Sequence, residues 1–426
     1  MSVLLDDHPM AAARVEQDLK AARQRHGRTW SAGGLRGEQV LRVVVLKQLF
    51  GFAYRQMAFH LADSRTYRTF CRIGWNDPGP SKSALAAGVK AVQAETLEAV
   101  NRALLGTAAE QGVETGEKVR VDTTVVESSI HWPSDSRLLR DGVRVLTRLM
   151  EQAKVLLEER CPGFCDRQRR AKRRDLEVLN AKNRNERRHA YRDLLKVAGE
   201  VVGWACQVVA ALRVKADVDP RAGALAAEME RYVALALRVI EQTRRRVIDE
   251  ERVPAGEKVV SLFEPHTDII RKDRRETLYG HKICLTGGAS SLILDCIVLE
   301  GNPADSSLPA TVIERQTDLY GRPPRQAAFD GGFTSAANLR TLKDLGVQDV
   351  SFSKRCGLTV EDMVRSRWVY RKLRDFRAGI EGVISWLKRS FGLDRCTWRS
   401  LASFRAYVWS SVLSFNLLVL ARHLLV

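Results

Sequence analysis

Lys118-Val-Arg-Val-Asp-Thr-Thr-Val-Val126 is the stretch on which the reading of this chain turns. Val119, Val121, Thr123 and Val125 alternate with Arg120, Asp122 and Thr124, the period of a strand with one apolar face. Asp122 stands near its middle, on the side opposite the apolar positions. The residues before it, 1–115, read as helical. Between 37 and 50, apolar side chains recur at Val40, Leu41, Val44, Val45 and Leu49, and 53–61 continues in kind. Further helices are expected at about 82–92 and 95–110. Trp75-Asn-Asp-Pro-Gly-Pro80 interrupts this run, and Ser81-Lys82-Ser83 opens the next helix. The segment reads either as a helix-turn-helix, with Lys82 near DNA phosphates, or as a plain packed bundle.

Beyond the strand, Pro133 and Ser134 end the extended region, and residues 137–250 read as helical and dense in charge. The whole chain has 69 Lys and Arg against 51 Asp and Glu, a net +18 over 426 residues. Between 137 and 196 alone the counts are 18 and 9, so half the excess sits there. Such a stretch is a solvated helix face or a basic arm that neutralises phosphates. Arg167, Arg169, Arg170, Lys172, Arg173 and Arg174 form its densest run, the part that would lie on DNA backbone under the second of these readings.

With 45% hydrophobic and 28% charged residues, a disordered or fibrous chain is excluded. The N-terminal stretch has an acidic pair and no apolar run of signal-peptide length, so secretion is not expected. The longest uncharged run, 406–421, falls short of a bilayer span and is interrupted by Asn416. It is expected to be a buried core helix, with no membrane partner. The eight cysteines read as reduced thiols, and Cys161-Pro-Gly-Phe-Cys165 lacks the second pair a zinc site needs.

Strand character returns at 258–263, then in a hairpin from Lys282-Ile-Cys-Leu-Thr286 through a Gly287-Gly288 turn to 292–299. A helix at about 308–320, capped by Ser306 or Ser307, leads to Gln326-Ala-Ala-Phe-Asp330. Another helix, 336–345, precedes a strand at 347–353, and the chain is helical from about 367. Without the helical excursion the order is β-β-β-α-β-α-β-α, a mixed sheet flanked by helices, as in the ribonuclease-H-like fold.

Asp330 closes a strand at the end where open α/β sheets place ligands, although an aspartate before Gly331-Gly332 is also a common turn residue. Glu381 follows Arg377 by four residues and precedes Lys388 by seven. On a helix the three fall within about 40° of one another, which alone describes an exposed salt-bridge ladder. Glu127, Asp295, Asp305, His266 and His281 also compete for chemistry, with Asp295 facing solvent by strand alternation. Trp132, beside His131, is either a core side chain or a platform for an unpaired base.

Arg377-x3-Glu381-x6-Lys388, the Asp122 strand, Glu264-Pro-His-Thr-Asp268, Tyr279-Gly-His-Lys282, Gly301-Asn-Pro-Ala-Asp305 and Phe329-Asp-Gly-Gly-Phe333 together resemble, in order, the DDE-class transposases of bacterial insertion sequences. The family pattern opens on a tyrosine where this chain has Arg374; the nearest tyrosine is Tyr370. The resemblance implies a ribonuclease-H-like catalytic domain over 116–136 and 256–426, a helical N-terminal DNA-binding domain over 1–115, and a basic all-helical insertion over 137–255. It implies that Asp122, Asp330 and Glu381 are the catalytic carboxylates and hold two Mg²⁺, with Mn²⁺ able to substitute. Arg377 and Lys388 then bind phosphates. The implied partners are double-stranded DNA, as terminal inverted repeats and target, and a second copy in a homodimer on DNA, in a cytoplasmic, nucleoid-associated setting. A DNA-binding regulator or inactive relic, and a nuclease that only hydrolyses, are the alternatives.

Overall fold

The computed structural model describes residues 1–25, 34–272 and 276–425. They form two compact units, one of 1–128 with 280–426 and one of 129–279. In chain order the first unit begins with α1 (Ser2–Asp6), α2 (Pro9–Arg25), α3 (Gly37–Phe50), α4 (Tyr54–Asp63), α5 (Arg65–Phe70), α6 (Lys82–Ala91), α7 (Ala94–Glu110) and strand β1 (Lys118–Glu127). The second unit holds α8 (Asp135–Leu157), α9 (Gln168–Asn180), α10 (Arg184–Ala216), α11 (Pro220–Thr243) and β2 (Asp268–Lys272). Strand β3 (Glu276–Gly287) carries the chain back to the first unit. There β4 (Ile293–Val298), α12 (Pro309–Tyr320), β5 (Gln326–Phe329), α13 (Ala336–Asp344), β6 (Asp349–Phe352), α14 (Val360–Met363), α15 (Arg367–Ser390) and α16 (Leu401–His423) follow.

The sheet is mixed. β1 runs antiparallel to β3 and parallel to β5, β5 runs parallel to β6, and β4 pairs with β3. A mixed sheet flanked by helices is compatible with a ribonuclease-H-like core. The parallel register sets Val121 against Phe329, so the next residues along the two strands, Asp122 and Asp330, stand abreast where β5 ends beside the middle of β1. Alternation sends Val119 and Val121 to the core, both fully buried.

The N-terminal helices and the sheet share one hydrophobic core. At its centre is α16, whose most apolar 18-residue window is 89% buried; although long enough to cross a bilayer, it is the core helix its composition suggests. Asn416, the polar interruption, has its needs met: its amide oxygen accepts from the Ile293 N–H at 2.9 Å, and its NH₂ donates to the Ile293 carbonyl and to Asn101. The second unit is a helical bundle of α8–α11 around a separate core, with Ser134, Asn183 and Asp219 capping α8, α10 and α11.

Two local expectations are corrected. No strand forms at 258–263, because the Gln242 side chain takes the place of a neighbouring strand. It accepts from the Val259 N–H at 2.8 Å and donates to the Val259 carbonyl at 3.1 Å, while a strand forms instead at Asp268–Lys272. Neither Ser306 nor Ser307 caps α12; a 3₁₀ turn over Asp305–Ser307 runs into Pro309 at the first helical turn, where no N–H needs a partner.

Candidate active site

Helix α15 begins at Ser366, whose hydroxyl accepts from the Val369 N–H, and packs across β1, β5 and β6. The polar face of β1 holds it there. Arg120, buried, lies over the Phe376 ring at 4.8 Å and donates to the Phe376 carbonyl. The next residue on α15, Arg377, is thereby aimed at the next residue on that face of β1, Asp122.

The Arg377 guanidinium joins all three carboxylates singled out in the sequence. It lies 2.9 Å from Asp122, 3.0 Å from Asp330 and 2.7 Å from Glu381. Neighbouring groups fix the acids. The Thr123 N–H donates to Asp122 at 2.8 Å, and the Ser353 hydroxyl donates to Asp330 at 2.8 Å. Asp122 is mostly buried, Asp330 half-exposed, and Glu381 63% exposed on the open side of the helix. Burial pushes the Asp122 carboxyl up to about 6, and Asp330 and Glu381 push the same way; Arg377 and the Thr123 amide only partly offset them. This is an electron-rich pocket short of positive charge.

The double glycine after Asp330 lies close against two side chains. A Cβ on Gly331 would lie 2.7 Å from the Lys354 side chain, and one on Gly332 2.9 Å from Asp305. Asp305 sits beside the middle of β1 and β3, bound to the Lys282 ammonium at 3.0 Å and accepting from the Thr123 hydroxyl at 3.3 Å. Thr123, Lys282 and Ser353 were not legible as site residues, since their partners lie far away in sequence or carry no local signature.

The donor chemistry suits hard divalent cations, which prefer carboxylate oxygens. Among the described residues, however, no three His, Cys, Asp or Glu side chains are already gathered to hold an ion. Here the trio is centred on a guanidinium, a single positive charge that only partly offsets three carboxylates.

The other candidates are dispersed. Asp295, expected to face solvent, is buried and bound by Arg315 at 2.5 and 2.7 Å; the alternation is overridden because β4 is covered on that side by α12. Glu127 meets Arg395 at 3.9 Å, His281 is buried against Phe404, and His266 meets buried Glu264 at 2.9 Å. Tyr370 is buried and donates to the Phe352 carbonyl, whereas Arg374 is exposed above its ring. Lys388 lies 3.8 Å from Asp394, and Lys82 is exposed at the first turn of α6, behind the Ser81 cap.

In the second unit, the basic run is partly neutralised within the fold. Arg170 and Arg174 both grip Asp193, Arg174 and Arg173 meet Glu177, and Arg167 meets Glu200. Arg169 and Lys172 are exposed, with no ion pair among the described residues. Trp132 is 69% exposed, edge-on to Tyr279 at 5.2 Å.

Residues 241–417 match the family model of the transposase DDE domain. That match takes in Asp330, Arg377, Glu381 and Lys388, while Asp122 lies upstream of it. No curated protein and no solved structure matches the chain.

Proposed function

Because residues 241–417 match the family model of the transposase DDE domain, we propose that this chain is the transposase of a bacterial insertion sequence. It binds the ends of its element, cleaves phosphodiester bonds there and joins the freed 3′ ends to target DNA. The observation that supports this most is the convergence of Asp122, Asp330 and Glu381, 208 and 51 residues apart in sequence, on a single guanidinium.

Asp122, Asp330 and Glu381 would hold two Mg²⁺, or Mn²⁺ in their place. Such a pair, when bound, supplies Lewis acidity to the attacking and departing oxygens of an in-line displacement. The chain's own groups do the remainder. Arg377 exchanges its carboxylate partners for a phosphate oxygen, a planar fork suited to either. The Thr123 amide and Ser353 hydroxyl keep Asp122 and Asp330 from rotating away. Asp122 gives up the proton that its surroundings favour. Lys388, farther along α15, adds a fixed cation for the flanking backbone. The N-terminal helices, with Lys82 at a helix start, read the element end, and Arg169 and Lys172 bind backbone. Two copies assemble on DNA so that both ends are cut together, in the cytoplasm at the nucleoid.

The test is nicking and strand transfer on a plasmid carrying the inverted repeats that flank the gene. Wild type should nick in Mg²⁺ and join ends, and Asp330→Asn should bind the same DNA without cutting. Binding without nicking in the wild type would leave a regulator, and nicking without joining a plain nuclease; either result overturns the proposal.

A further inference from the structure

The second unit contains a cleft of about 430 Å³ whose charge is one-sided. Arg246, Arg252, Lys258 and Arg271 line it, together with Asp135 and the ring of Tyr279. Asp135 is buried and already bound, to Arg246 at 2.7 Å and to the Gln242 amide at 2.9 Å. The acids of the adjoining segment are committed elsewhere. Glu251 and Glu257 hold Arg245, Glu250 holds Arg184 and Arg188, and Asp249 meets Arg244. Arg252, Lys258 and Arg271 have no ion pair among the described residues. The crowding is felt at Lys258, whose ammonium is pushed down by burial and then by Arg246, with Asp135 opposing and Arg252 adding to the fall.

A cleft of this size falls in the range that encloses small ligands, so it takes roughly one or two nucleotides of a strand and excludes a duplex. Next to Tyr279 stands the exposed indole of Trp132. A basic groove beside an exposed aromatic ring is the pairing that grips unpaired nucleic acid, phosphates on the cations and a base on the ring. We propose that this cleft is a binding site for single-stranded DNA, distinct from the carboxylate site, that takes the phosphates of an unpaired strand on Arg246, Arg252, Lys258 and Arg271. The inference rests on the reading of the chain as a DNA-processing enzyme, and it adds the form of DNA and the residues that hold it.

The experiment measures binding of a fluorescent oligothymidylate and of a random duplex to the full-length protein across a salt series. Arg252 and Arg271 are exposed, so the double variant Arg252→Glu/Arg271→Glu should fold. It is expected to lose about 100-fold in oligothymidylate affinity, with a salt slope shallower by about 0.7 per lost phosphate contact. Trp132→Ala should lose roughly tenfold. Duplex binding should fall less in both variants, and inorganic tripolyphosphate should compete poorly. Wild-type affinity in the variants overturns the proposal. So do equal losses for duplex and single strand, or tripolyphosphate competing as well as the oligonucleotide, each of which describes a plain polyanion surface. Asp330→Asn should bind oligothymidylate as wild type does. In the wild-type protein, absent nicking with oligothymidylate binding intact fails the transposase reading alone, whereas nicking by the wild type together with cleft variants that bind as tightly as it does fails the cleft alone.

Discussion

Two clusters in this protein are charge-inverted versions of one another. Where β5 ends beside β1 in the first unit, three carboxylates surround Arg377; in the cleft of the second, among the described residues, four cations line a space with the one carboxylate Asp135. Each keeps one counter-charge, which lets the cluster fold, and each is left with a surplus that an incoming ligand of opposite sign relieves. The clusters differ in rigidity. Asp122 and Asp330 are fixed by strand register and by hydrogen bonds from Thr123 and Ser353, as befits positioning reacting atoms. Arg252 and Arg271 are exposed side chains with no such bracing, as befits tolerant backbone binding.

The comparison breaks first if the acids are dispensable. Asp330→Asn, Asp122→Asn or Glu381→Gln should each reduce nicking at least about 100-fold, the equivalent of about 3 kcal/mol of transition-state stabilisation, with DNA affinity kept. Gel assays of plasmid nicking check it.

Next in size is the counter-charge. Arg377→Met leaves Asp122 and its neighbours without a cation and should lower stability by about 2 kcal/mol at neutral pH, less than a fully buried pair because Glu381 is exposed. Adding Mg²⁺ should recover more of the melting temperature in this variant than in wild type. Equal cation effects on both proteins would show that Arg377 and the cation do not share a place.

What the sequence makes legible follows from locality. The alternation in β1, the hairpin of β3 and β4, and the helix–strand succession after it are patterns of near neighbours, and they give the mixed sheet. Asp122, Asp330 and Glu381 stand out by their positions within elements and by the family resemblance. The register between Val121 and Phe329, which sets the first two abreast, joins residues more than 200 apart and has no local signature. The same limit hides Arg377 as the centre of the trio, and Ser353 as the brace of Asp330. It also makes the basic run look freer than it is, because Asp193 and Glu200, which neutralise Arg170, Arg174 and Arg167, arrive from another helix. Residues 258–263 mislead for a related reason: a side chain, Gln242, supplies the hydrogen bonds that the pattern assigns to a strand.

Acidity sharpens the contrast between the clusters. Asp122, raised to about 6, keeps its proton in the folded protein at pH values where an ordinary aspartate is ionised, and that proton opposes a cation. Below saturation, Mn²⁺ affinity should therefore climb as pH rises through about 6, with a proton released on binding, and Asp122→Asn should flatten the climb. Calorimetry in buffers of different ionisation enthalpy counts that proton. The smallest effect lies in the second unit. Arg170 and Arg174 hold the Asp193 carboxyl down to about 2, so its contribution to stability is present above the unfolded value near 4 and is lost as pH falls from there toward 2. Asp193→Asn should be slightly less stable at neutral pH and lose less on acidification in that window, as thermal melts will show.

The most direct measurement replaces Mg²⁺ with Fe²⁺ and adds ascorbate and peroxide, so that hydroxyl radicals cut the polypeptide wherever it approaches the bound ion. Fragments ending near residues 122, 330 and 381 together, and their disappearance in Asp330→Asn, are the predicted result. Cuts near only one of the three, or a pattern unchanged by that substitution, would contradict a shared site.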